Sequence, residues 1–254
     1  MKASVVTFTI LRYHSGQQYH AFANIGRWMM KPFSAGGLRF QKMMGSGRGF
    51  GLIPDFSTYV FLAVWDNEQA ARSFFQADRW QQYSRKAAQT GTLWMEPIKS
   101  HGQWSGENPF APEQAQVITP NLPVAVLTRA TIRTGALLDF WRHVPQARSR
   151  LGEQPNLLFS IGVGEKPLVQ QCTVSVWRNA AAIDQFAYRQ SGHKEIVKAT
   201  RQRRWYTEEL FARFSVRSAE GSIFTTIDQL VKAATFPTGT TLTEQSAVSA
   251  PDSK

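Results

Sequence analysis

The sequence predicts an α+β fold in which two tandem ferredoxin-like βαββαβ repeats form a pseudo-dimeric α/β barrel. Three observations lead there. The run Ala63-Val64-Trp65-Asp66-Asn67 returns 112 residues later as Ser175-Val176-Trp177-Arg178-Asn179, and Phe74 lands on Phe186 at the same shift. Phe40 to Gly47 is echoed by Phe159 to Gly164, and Ile10-Leu11-Arg12 by Thr131-Ile132-Arg133. A repeated unit of roughly a hundred residues is too long for a solenoid and reads as a duplicated small domain. Finally, the apolar periodicity in each copy switches between two and 3.6 in the order β-α-β-β-α-β.

In the first copy, alternating Val6, Phe8 and Ile10 make 4–12 a strand, and Phe22, Ile25, Trp28 and Met29 make 17–31 an amphipathic helix. Residues 38–45 form the second strand, glycines 45, 47, 49 and 51 a flexible turn, and 58–65 the third strand. A long helix over 67–89 and a strand over 92–99 complete the unit. The second copy reads as strand 124–132, helix 135–147, strands 157–163 and 169–177, a helical region from 179 to about 210, and strand 211–217. Four prolines between Glu107 and Pro123 mark a linker. The domains are therefore 1–106 and 123–222, joined by 107–122, with 223–254 an extension largely disordered from 236. Val6, Phe8, Val60, Leu62, Val174 and Val176 are the expected core.

A hydrophobic fraction of 43% and an aromatic fraction of 12% describe a globular chain with ample core. The longest apolar runs are strand-length, far short of a membrane span, and the N-terminus alternates like a strand rather than a secretory signal. One cysteine excludes an internal disulfide framework and agrees with a cytoplasmic location. The net charge of +11 attracts nucleic acid, anionic lipid or acidic ligands, or serves solubility alone. Arg48-Gly49-Phe50-Gly51 matches half of an RNA-recognition signature, but Pro54 follows where an aromatic strand is needed. The same glycines lack the spacing of a dinucleotide fingerprint.

Among candidate site residues, Cys172 stands where the first copy has Val60 and reads as a small buried hydrophobe rather than a thiolate ligand. No two of the five histidines have zinc-site spacing. His193 differs from the rest. It follows Ser191-Gly192 and opens a face with Ile196, Val197 and Thr200, which suits either helix packing or an axial ligand above a porphyrin. Its counterpart in the first copy is Gln81. Glu208 and Glu209 beside Arg203 and Arg204 read as local charge balance.

Several blocks resemble one family. They are Gln103-Trp104-Ser105-Gly106-Glu107-Asn108-Pro109-Phe110, Thr128-Arg129-Ala130-Thr131-Ile132-Arg133, Phe140-Trp141-Arg142, Ile161-Gly162-Val163-Gly164-Glu165 and Trp205-Tyr206-Thr207-Glu208-Glu209-Leu210-Phe211-Ala212-Arg213-Phe214. Together they make the chain, from about residue 5 to 222, similar to the spheroidene monooxygenase family. The resemblance implies a haem-dependent monooxygenase that oxidises the C2 position of a carotenoid end group with O₂ and an external electron donor such as a ferredoxin. Haem supplies chemistry that side chains lack. On this reading His193 is the iron ligand and Val197 packs below it on the same helical face. Arg201 and Arg204 pair with haem propionates, and Arg129 stabilises charge developing on bound oxygen.

Two other readings fit the residues: a non-haem α/β-barrel enzyme acting on a flat aromatic substrate, and a basic nucleic-acid-binding module. The carotenoid reading implies no nucleic-acid partner. It adds peripheral contact with an anionic membrane at the inner surface, because a carotenoid must be collected from lipid. Arg27-Trp28-Met29-Met30-Lys31-Pro32-Phe33 has the composition of an interfacial anchor.

Overall fold

The computed structural model describes residues 4–48, 53–112, 119–189, 203 and 205–235. Eight strands, β1 (Val5–Arg12), β2 (Leu38–Gly47), β3 (Pro54–Trp65), β4 (Gln89–Gly102), β5 (Val124–Ile132), β6 (Leu157–Gly164), β7 (Gln170–Trp177) and β8 (Tyr206–Glu220), form one closed antiparallel barrel. Its circular order is β1-β3-β2-β6-β7-β5-β8-β4. Each half therefore pairs its strands in the same sequence, β4-β1-β3-β2 and β8-β5-β7-β6. Helices α1 (Gln18–Met30), α2 (Glu68–Gln76) and α3 (Asp78–Ser84) belong to the first half, α4 (Leu137–Gly152) and α5 (Ala180–Arg189) to the second, and α6 (Thr225–Thr235) follows β8.

Strand alternation sends every second side chain inward. Val6, Phe8 and Ile10 of β1, Val60, Leu62 and Val64 of β3, and Val174 and Val176 of β7 meet inside the barrel with Cys172, as the alternation predicts. Outward residues pack under the helices. The two recurring tryptophans face out, Trp65 Nε1 donating to Thr7 Oγ1 at 2.9 Å and Trp177 Nε1 to Ser175 Oγ at 3.0 Å. The asparagine two residues after each tryptophan accepts a backbone N–H from the helix that follows: Asn67 from Ala70 at 2.9 Å, Asn179 from Ala182 at 3.0 Å. The repeated sequence is thus a strand end plus a helix N-cap.

The two halves join unequally. β4 and β8 pair along ten registered positions, from Thr92 with Glu220 to Gly102 with Leu210, whereas β2 and β6 share only Gly45 with Gly164 and Ser46 with Val163. One end of the barrel is plugged by Trp104 and Phe110, from the stretch after β4, and the other by Phe224 against Phe159 and Gly91.

Several boundaries differ from the sequence reading. The helix expected over 67–89 breaks at Ala77, whose extended backbone turns α3 so that Trp80 meets Phe61 at 5.2 Å. The helical region expected to reach about 210 gives way to β8 at Tyr206, because this segment pairs along β5. Gly45 and Gly47 lie within β2 rather than in a turn, and residues 49–52 lie outside those described. In the proposed anchor segment, Phe33 is only 4% exposed at the centre of an aromatic cluster and Trp28 bonds Gln41, while Met29 and Met30 are exposed. No described helix is long and apolar enough to cross a membrane.

Candidate functional site

The apolar interior carries one charged chain of contacts at the Trp104 end. Lys42 alternates inward with Phe40 and Met44 on β2, and its Nζ lies 2.8 Å from Glu165 Oε2. The other carboxylate oxygen of Glu165 accepts the Trp104 indole N–H at 2.7 Å. The guanidinium of Arg129 sits 5.5 Å from the Trp104 ring centroid and donates to Glu208, whose second oxygen accepts the Gly106 amide at 2.9 Å. Two cations face two carboxylates, so the network is balanced, as burial requires. Gly102 makes the approach possible: at φ +87° it turns the chain inward, and a Cβ there would collide with the Glu209 carbonyl.

Arg129 is 3% exposed, and its Nε has no hydrogen-bond partner among the described residues. Burial pushes the Glu208 carboxyl up, but the amides of Gly106 and Ser105 and the Arg129 guanidinium outweigh it and hold the group below its ordinary range. Burial drives the Cys172 thiol far upward, so it stays protonated and inert despite its neighbour Arg129. In the first half the register position of Arg129 is held by Ile10, since Ile10 faces Val60 as Arg129 faces Cys172. Among the described residues the charged interior lies at the Trp104 end.

A second asymmetry lies on the outer face. In the first half Thr9, central on β1, is 2% exposed beneath one continuous aromatic layer. Its register equivalent on β5 is Thr128, which is exposed although β7 and β8 pair with it on both sides. Around it, Phe61 is replaced by Thr173, Met43 by Gly162 and Tyr59 by Gln171. The outer apolar layer accordingly splits into two patches, one around Trp177 and Ile183 and one around Phe140 and Trp205. Among the described residues only small or polar side chains stand between them, a hollow relative to the first half, which holds large ones there.

Of the residues singled out by sequence, Arg129 lies inside the barrel, one residue along β5 from Thr128 but on the opposite face. His193, Val197, Arg201 and Arg204 lie outside the described residues, in the chain between α5 and Trp205. Among the described residues no group of three or more His, Cys, Asp or Glu could hold a metal ion. Glu208 balances Arg129 rather than Arg203, which instead grips Asp139 at 2.7 and 2.9 Å beside the Trp205 indole. Strand parity explains the change, because Glu208 points inward with Leu210 and Ala212. Lys42 escaped the sequence reading although it interrupts an inward-facing apolar row, and Trp104 and Glu165 entered it only as members of the family-like blocks. The hollow was legible in the 112-residue shift itself, which aligns Phe61 with Thr173.

No protein-family model matches the chain. It is 38% identical over 188 residues to spheroidene monooxygenase of Rhodobacter capsulatus, across 73% of this chain and 78% of that protein. It is 37% identical over 187 residues to the enzyme of the same name from Cereibacter sphaeroides, covering 72% and 57% respectively. For the Rubrivivax gelatinosus enzyme the identity is 32%, covering 73% and 71%. Among solved structures the chain is similar in fold to an aldoxime dehydratase, with TM-score 0.55 and 9% identity over 84% of this chain and 82% of that one.

Proposed function

The chain belongs to the spheroidene monooxygenase family, and we propose that it is a haem-dependent monooxygenase oxidising the C2 position of a carotenoid end group. The observation that carries the reading is the 38% identity sustained over 188 residues. The two halves are tandem ferredoxin-like copies, a view supported by their common element order and matching registers. The second copy has given up its aromatic filling to receive the cofactor.

The hollow over Thr128, Gly162 and Thr173 supports haem as that cofactor, because the described side chains there are small where the first half has Phe61 and Met43. His193 is the residue that would hold the iron, and Val197, Arg201 and Arg204 would help bind the group, the arginines through its propionates. When bound, haem supplies the activation of O₂ that insertion into an unactivated C–H bond requires. The chain's own part is to orient the end group and exclude water. With Arg129 turned inward, its role is to hold the strand behind the site through Glu208 and Trp104. An external donor such as a ferredoxin provides the two electrons that reduce the second oxygen atom to water.

Turnover under ¹⁸O₂ tests this. Purified protein given a reductant and a detergent-dispersed acyclic carotenoid should place one ¹⁸O at C2 of the product. An unchanged carotenoid, or oxygen drawn from water, would overturn it.

A further inference from the structure

The net charge of this protein is uneven along the chain, because acidic residues are missing from its start. Lys2, Arg12, Arg27, Lys31, Arg39, Lys42 and Arg48 precede the first acidic residue, Asp55. Arg39 and Lys42 are taken up by Asp66 and Glu165. Arg27 and Lys31 on α1, and Arg85 and Lys86 after α3, are exposed and have no carboxylate within ion-pair distance among the described residues. Burial first, then Lys86, Arg27 and Arg85, hold the His20 imidazole below its ordinary range, which reports a positive field over α1.

Large apolar side chains stand in the same place. Phe22 is 62% and Met30 83% exposed on α1, with Tyr19 and Met29 also exposed. Phe22 meets Phe56 of β3 edge to face at 6.4 Å, and Ile53 beside it is exposed as well. Exposed aromatic and methionine side chains ringed by unpaired cations match the interfacial zone of an anionic bilayer, where apolar groups enter the acyl boundary and cations meet headgroup phosphates. A protein partner would have to supply both an apolar groove and a surrounding acidic rim. The patch also adjoins the hollow: β2, hairpin partner of β3, pairs with β6 at Ser46 and Val163, one residue from Gly162.

We propose that α1 and the β3 end bearing Ile53 and Phe56 form a docking surface for an anionic bilayer, seating the hollow next to the lipid that holds the substrate. The assignment rests on the carotenoid reading for its purpose but not for its test. The full-length protein should sediment with phosphatidylglycerol-rich vesicles and much less with pure phosphatidylcholine. Phe22→Ser with Met30→Ser, and separately Arg27→Glu with Lys86→Glu, should each weaken the anionic binding about tenfold or more. Neither pair should alter turnover of detergent-dispersed carotenoid, so loss of docking and loss of the monooxygenase reading are separately visible. Undiminished vesicle binding by both variants, or no binding by the parent, overturns the proposal. So does a parent dimer that Phe22→Ser with Met30→Ser converts to monomer, since the patch would then join two copies of this chain.

Discussion

Arg129 carries a charge in a place where its counterpart, Ile10, carries none, and the cost is met by a single strong partner. Removing Arg129 takes the charge-assisted bond from Glu208, which stays partly exposed and bonded to the Gly106 amide. Arg129→Ala should therefore destabilise the fold by about 1.5–3 kcal/mol in urea unfolding, whereas Arg129→Met with Glu208→Gln should recover most of the loss. The pH dependence has a definite sign. Glu208 is held below its ordinary value of 4.5 in the folded state, so its contribution is fully present above that value and drains away as pH falls through the folded pKa. Urea midpoints measured from neutral pH downward should fall in the parent below about pH 4.5 and fall less steeply in Glu208→Gln. Nothing in the sequence around Arg129 announced this role. The sequence showed the residue on a strand, but its face and its partner emerge only when β5 is laid between β7 and β8.

At the scale of elements, the strands were the most legible part, because a period of two identifies both the strand and its buried face. Helix limits were less so. Ala77 breaks a periodic stretch without a proline or glycine to signal it, and the break is set by Trp80 packing onto Phe61. The repeated Trp-x-Asn run was visible as a repeat, while its work as a helix cap required coordinates. Asn179→Ala should cost about 1 kcal/mol in thermal or urea unfolding by freeing the first turn of α5. The hollow yields the sharper experiment. Thr173→Phe restores the residue type found at Phe61, and we expect it to raise or preserve the melting temperature while abolishing haem uptake. A Thr173→Phe protein that binds haem as the parent does would move the cofactor elsewhere.

The whole molecule is a barrel whose halves share a plan and differ where function requires. Among the described residues the interior is closed at both ends, by Trp104 with Phe110 and by Phe224, so an elongated substrate has no path through it, and the outer face of the second half carries the small side chains. The order of strands within each half could be read from sequence, since the signals are local, and the Trp-x-Asn run returns at an offset of 112. Closure of the barrel was expected from the repeated sequence pattern, but its thin β2–β6 seam and the Lys42–Glu165 link across it depend on residues 123 apart and left no local trace. The central claim is that this second half holds haem through His193. The most direct test is the absorption spectrum of the purified, haemin-supplied protein with and without carbon monoxide. The parent and Cys172→Ser should show a Soret band that carbon monoxide shifts, and His193→Ala should lose the band or its ordinary position while remaining folded. A parent without the band, or a band abolished by Cys172→Ser and kept by His193→Ala, would contradict it.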